Sequence, residues 1–196
     1  MDTCVVIEET DMDTILDRIA KDLSIEEKER EEVMALSRKA IRLSKKIIHA
    51  IHTNDIYDDA REELRTLMST LSEKNRRFAK DAMMEYAEAE ILISAVSGTQ
   101  TPTPEDLGMD GGSWLMGMAD TIGELRRIVL THLMESDVDT AKELFSVMEI
   151  MCEGLMMFDV PDAILPIRRK QDVARGVVEK TRSDLLNAKM SYRVTE

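Results

Sequence analysis

Apolar positions recur at helical spacing through most of the chain, and from Thr14 to Ser97 no Pro or Gly interrupts them. Val33, Leu36, Ala40, Leu43, Ile47, Ile48 and Ile51 fall three or four apart, which lays them along one helix face. Just upstream, Ser24-Ile-Glu-Glu27 has the form of a capping box, in which the Ser hydroxyl accepts from early N–H groups and Glu27 reaches back. A long helix over Ile25–His52 is predicted. Asn54-Asp55 offers a break and a new N-cap, and Ile56, Ala60, Leu64, Leu67, Met68 and Leu71 continue the stripe. A further helix is expected from near Ser72 to Val96.

Ser97 to Gly112 is the one extended loop, with two Pro and four of the eight Gly. Helix resumes over Trp114–Met134. Ser136 to Thr140 reads as a turn and N-cap for a helix through Met157, and Pro161 suits the first turn of a last helix that reaches about Lys189. No repeat and no alternating strand pattern is visible. The expected fold is all-α, a single domain of about six to seven helices without β-sheet. Its expected organisation is an acidic segment over 1–23 that could hold a short helix, a helical domain over 24–190 and a tail over 191–196.

Composition fits that picture. The 196 residues are 43% hydrophobic, enough for a core, and only 4% aromatic, with Met contributing 15 residues as adaptable filler. No apolar run approaches the ~20 residues that span a bilayer. The N-terminus has no basic stretch ahead of an apolar run, so no signal peptide is read there. Cys4 and Cys152 cannot build a Cys-rich metal cluster or a disulfide framework, and a reducing cytoplasm is the simple reading.

The formal charge of −13 argues at first against a nucleic-acid partner. Its distribution reverses that argument. Residues 1–32 hold twelve acidic and four basic residues, a net of −8. Residues 33–54 hold Arg38, Lys39, Arg42, Lys45 and Lys46 and no carboxylate, while Arg168, Arg169, Lys170, Arg175, Lys180 and Arg182 crowd the last helix. A basic surface exists inside an acidic protein.

Four carboxylates stand where apolar residues would be expected. Glu85 and Glu88 are three apart, and Asp120 and Glu124 four apart, each pair on one helix face among Met, Ala, Gly and Leu. Acids in such a setting must protonate, pair or bind metal. An oxygen-only set suits Mg²⁺ or Mn²⁺, whereas three His and no nearby Cys make zinc a poor fit. Taken alone, such spacings are common on solvated helices. The Gly-rich loop lacks a Walker Lys and follows no strand, and Asp106 and Asp110 do not fit an EF-hand. Asp139 and Glu143 repeat the four-residue spacing, but Asp139 lies beside an N-cap, where an acid is useful for the helix. Trp114, directly after the loop, reads as an anchor rather than a base-stacking platform.

Four blocks resemble the translin family, and within it the Trax branch. They are Leu36-Ser-Arg-Lys-Ala-Ile-Arg-Leu-Ser-Lys-Lys-Ile-Ile-His-Ala-Ile-His52, Glu85-Tyr-Ala-Glu-Ala89, Gly117-Met-Ala-Asp-Thr-Ile-Gly-Glu-Leu-Arg126, and Leu165-Pro-Ile-Arg-Arg-Lys-Gln-Asp-Val-Ala174 with Val177-Val-Glu-Lys180. They keep the family's order and span roughly Arg30 to Lys189. The resemblance implies an all-α fold in a hollow oligomer, often an octamer. For Trax-like members it also implies a Mg²⁺-dependent endoribonuclease site acting on single-stranded or nicked RNA, with Glu85, Glu88, Asp120 and Glu124 at the acidic positions. Glu88 and Glu124 are expected as direct Mg²⁺ or Mn²⁺ ligands, with Glu85 and Asp120 completing the site. Arg38, Lys45, Lys46, Arg76, Arg77, Arg168, Arg169 and Lys170 are the candidates for holding RNA, or single-stranded DNA, by its backbone. The alternative is a non-catalytic single-stranded RNA/DNA-binding oligomer of the translin type, its acids serving as ion-pair partners.

Overall fold

The computed structural model describes residues 9–72, 74 and 76–194, and among them there is no strand. The helices are α1 (Glu9–Thr53), α2 (Asp58–Ser72), α3 (Lys80–Ser97), α4 (Gly111–Met134), α5 (Val138–Met156) and α6 (Arg168–Val194), with a 3-10 turn at Arg76–Phe78. The all-α expectation holds. No helix among the described residues is long and apolar enough to cross a membrane.

Helices α3 and α4 form the central pair. Helix α1 packs on both α2 and α3, while α5 and α6 pack on α4 and on each other. Ile47, Leu64, Met83, Leu92, Ile122 and Leu155 are among the side chains removed entirely from solvent. Each contributes about 1.5–3 kcal/mol of apolar burial. The predicted stripes are the buried faces: Val33, Ala40 and Ile47 on α1, and Ala60, Leu64, Leu67, Met68 and Leu71 on α2.

The boundaries differ in instructive ways. Helix α1 is 45 residues long and passes straight through Ser24, so the capping-box sequence starts nothing. A cap acts only where the preceding residues leave the helix, and Thr14 to Leu23 are free of Pro and Gly. Burial begins only at Val33; Met12, Leu16, Ile19 and Leu23 line an exposed stripe. Helix α1 does end at Asn54, whose φ of 54° is a left-handed conformation that Asn tolerates. Helix α2 then starts at Asp58 rather than Ile56, and runs through Ser72, where α3 was expected to begin. Helix α3 instead begins at Lys80 after the 3-10 turn. Pro161 lies in a turn ahead of α6, which starts at Arg168, directly after Pro166 and Ile167. The tail expected over 191–196 falls partly in α6, and 195–196 lie outside the described residues, as do 1–8 of the acidic segment.

The loop before α4 is fastened at both ends. The Asp110 carboxylate accepts from the Ser113 amide at 2.9 Å and caps α4. The Trp114 indole Nε1 donates to the Pro102 carbonyl at 2.9 Å, which makes Trp114 the anchor expected from sequence. Asp137 is the cap of α5, two residues before Asp139, which pairs with Lys142 at 2.8 Å.

Candidate metal and nucleic-acid site

The α3–α4 pairing is unusually close because Gly117 has no side chain. A Cβ built there would lie 2.5 Å from the Met84 carbonyl oxygen and 2.9 Å from the Glu88 nitrogen. The buried Thr121 hydroxyl adds a tie beside it, at 3.0 Å from the Gly117 carbonyl and 3.3 Å from that of Glu88. These contacts bring the acid-bearing faces of the two helices together.

All four acids meet there. Burial pushes the Glu88 carboxyl up to about 8, and the charges of Asp120, Glu85 and Glu124 push in the same direction, against a smaller pull from Lys170. Among the described residues no hydrogen bond or ion pair reaches the Glu88 carboxylate. A cleft of about 350 Å³ is lined by Lys45, Ile48, His49, Glu85, Glu88, Glu124 and Arg127. A larger cleft of about 720 Å³ is lined mostly by apolar residues, Met84, Trp114, Met116 and Phe158 among them, with Lys80, Asp81 and Asp110 also in its lining. The chemistry is concentrated in the smaller one.

The acids around Glu88 are met by bases from three helices. Lys45 of α1 is 3.5 Å from Glu85. His52, in the last turn of α1, places Nε2 2.5 Å from Glu124 Oε2, and Arg127 reaches the same oxygen at 2.9 Å. Lys170, near the start of α6, pairs with Asp120. Lys170 therefore stands inside the acid site, and only about a fifth of its side chain is exposed.

The other basic candidates are spread out. Arg38 and Lys46 are exposed on α1 along with Lys45, and Arg169 is exposed on α6. Arg168 pairs with Asp159 at 3.3 Å. Arg77 pairs with Glu26 and stacks over the Phe78 ring at 4.5 Å. Glu26 precedes Lys45 by nineteen residues on one helix, about 28 Å along its axis, so Arg77 stands well apart from the acids. The side chain of Arg76 lies outside the described residues.

Sequence reasoning passed over His49, His52 and Arg127. The signal was present: Lys45, His49 and His52 are spaced i, i+4, i+7, on one face of the helix that carries the predicted basic stretch. Glu90, also unremarked, is 1% exposed and held by Arg61 at 2.7 Å and Arg65 at 2.9 Å. Burial is the largest single influence on its carboxyl and pushes upward, but the two guanidiniums together outweigh it and the net shift is downward. That trio is a structural ion network on the α2–α3 contact.

The donor set suits a hard divalent cation. It offers four carboxylates, one of them carrying an electrostatic deficit that a cation would relieve. Among the described residues no three such side chains stand as a ready-made cage; lysine, arginine and histidine hold the carboxylates instead. Recruiting Glu85 and Asp120 as further ligands means displacing Lys45 and Lys170.

A solved structure of AfC3PO with duplex RNA is similar to this chain over 92% of its length and 99% of that chain, at 34% identity and a TM-score of 0.83. The chain belongs to the translin family. A structure of AfC3PO alone agrees at 34% identity and a TM-score of 0.82, over 90% and 97% of the two chains. Apo-NeC3PO, at 24% identity, a TM-score of 0.79 and coverage of 88% and 96%, shares the fold. An uncharacterized protein of Methanocaldococcus jannaschii is 29% identical over 176 residues, 85% of this chain and 79% of its own. No family model matches the chain.

Proposed function

We propose that this translin-family chain is a Mg²⁺- or Mn²⁺-dependent endoribonuclease that binds and cleaves single-stranded or nicked RNA inside a hollow homo-oligomer, an octamer by family resemblance. The observation that supports it is the Glu88 carboxyl, pushed up to about 8 by burial and by three neighbouring acids, in a cleft that Glu85, Glu124, Lys45 and Arg127 also line. The duplex RNA bound to the similar AfC3PO favours RNA as the ligand.

Glu88 and Glu124 would hold the metal ion, with Glu85 and Asp120 completing the oxygen set. When bound, the ion supplies Lewis acidity at a phosphoryl oxygen and acidifies a coordinated water. Lys45 and Arg127, at the cleft rim, balance the charge of an entering phosphodiester. If they do not bind the ion directly, Glu85 and Asp120 would instead orient and deprotonate the attacking water. Arg38, Lys46 and Arg169 extend the backbone-binding surface away from the cleft.

Replacing Glu124 by Gln tests this. Cleavage of single-stranded RNA should fall at least about a hundredfold, since a metal contributes several kcal/mol, while RNA binding in EDTA stays close to wild type. Unchanged cleavage removes the site assignment.

A second reading, a non-catalytic RNA- or DNA-binding oligomer, is favoured by the ion pairs that already engage Glu85, Asp120 and Glu124. It predicts salt-sensitive RNA binding with no Mg²⁺- or Mn²⁺-dependent cleavage by the purified protein.

A further inference from the structure

We infer that His52 is a positioning residue of the acid site: it holds the Glu124 carboxylate by one oxygen and leaves the other open to a divalent cation. This rests on the reading of the four acids as a metal site.

His52 and Glu124 are 72 residues apart in the chain and lie on helices, α1 and α4, that touch in few other places. The His52 side chain is only 10% exposed, so its ring is committed to this contact rather than to solvent. A carboxylate oxygen only accepts, so Nε2 is the N–H nitrogen that donates to it, over 2.5 Å. Arg127 Nη1 donates to the same oxygen, Oε2, over 2.9 Å. Two donors from different helices on one oxygen fix the carboxylate's rotation, and no donor among the described residues takes Oε1. This is how groups behind a metal ligand set its aim, and their loss ordinarily costs about 10–100-fold in metal affinity.

The sequence placed His52 only as the end of a basic helix. Its position in the last turn of α1 would by itself be explained by the helix dipole, which favours a cation there. That explanation asks nothing of Glu124, and so the two accounts separate.

The experiment compares wild type, His52→Leu and His52→Gln for Mn²⁺ binding by calorimetry and for RNA cleavage, with folding followed by circular dichroism. The Leu variant keeps the apolar packing but cannot donate; the Gln amide can. His52→Leu should weaken Mn²⁺ binding about tenfold or more and lower kcat while the KM for RNA holds, and His52→Gln should recover most of both. Mn²⁺ binding by the Leu variant equal to wild type overturns the assignment. So does Gln behaving as Leu. Wild type that binds Mn²⁺ with the expected His52 dependence but cleaves no RNA overturns the nuclease reading and sustains the role of His52. Wild type that binds no Mn²⁺ overturns both.

Discussion

Gly117 in α4 sits so close to Met84 in α3 that a Cβ would lie 2.5 Å from the Met84 carbonyl oxygen, and 2.7 Å from the Ala87 Cβ. Neither neighbour is a flexible tip, so the helices themselves would have to part. Gly117→Ala should destabilise the fold by about 1–3 kcal/mol, the usual cost of overpacking, seen as a fall in Tm of several degrees. Since Glu88 begins at the same contact, Mn²⁺ binding should suffer even at temperatures where the variant is folded. A Tm equal to wild type would show that α3 and α4 are less tightly coupled than this geometry states.

Glu88 gives the metal-free protein a pH dependence of definite sign. Its carboxyl rises from an ordinary 4.5 to about 8, chiefly through burial. The folded state holds that proton more tightly than the unfolded state, so the contribution to stability is full below about 4.5 and is lost as pH climbs through 8. Glu88→Gln stays neutral throughout. With a chelator present, the variant should melt with wild type at pH 5 and above it at pH 8.5, by roughly 2 kcal/mol after allowing for solvent around a half-buried group. Parallel melting curves across that range would remove the buried charge from the account of the site.

Much of this site was legible in the sequence for a simple reason. Helical spacing decides which residues share a face, so Glu85 with Glu88, and Asp120 with Glu124, could be paired by counting. What counting cannot supply is the partner across a helix–helix contact. By charge on its helix alone Lys170 reads as an RNA contact; the structure turns it onto Asp120. The role of His52 is invisible to counting because it depends on Glu124, on a helix α1 barely touches. The false start at Ser24 has the opposite origin: a correct local signal with no break before it to act upon.

The Glu90 network predicts a purely structural effect. With its carboxyl 1% exposed between Arg61 and Arg65, Glu90→Gln leaves two guanidiniums short of a counter-charge at the α2–α3 contact. Loss of one partner of a buried pair costs about 3–5 kcal/mol; Arg65 is half exposed and can turn to water, so about 1–3 kcal/mol is expected here. The carboxyl's depressed value means this stability is present above the ordinary carboxylate range and lost as pH falls through the folded value. The gap in Tm between variant and wild type should therefore close in acid, while Mn²⁺ binding at neutral pH is untouched.

Lys45 and Lys46 test the basic face of α1. Both are exposed, and Lys45 stands at the cleft rim 3.5 Å from Glu85. Changing both to Glu should weaken single-stranded RNA binding, and changing both to Gln should reduce the dependence of log affinity on log salt by about 1.4, the release expected for two phosphate contacts. An unchanged salt slope in the Gln variant would put the RNA elsewhere.

Lys170 separates the metal from the RNA. Its charge lies on Asp120 and also pulls down the Glu88 carboxyl, so it competes with any cation that those acids would bind. Lys170→Met removes the competitor but also an attraction for phosphate. If its place is against the acids, Mn²⁺ should bind the variant at least about tenfold more tightly, because one positive charge no longer opposes the ion at close range. RNA affinity measured in EDTA should then change little, and the excess stabilisation that Mn²⁺ confers should rise with its affinity. If Lys170 instead meets RNA, the pattern inverts: Mn²⁺ affinity stays where it was and RNA binding in EDTA drops. His52→Leu and Lys170→Met therefore move Mn²⁺ affinity in opposite directions, although each removes a basic partner from an acid of the same cluster. A generic loss of electrostatic balance would move both the same way, so the sign of the difference reports whether Glu124 is aimed and Asp120 is blocked.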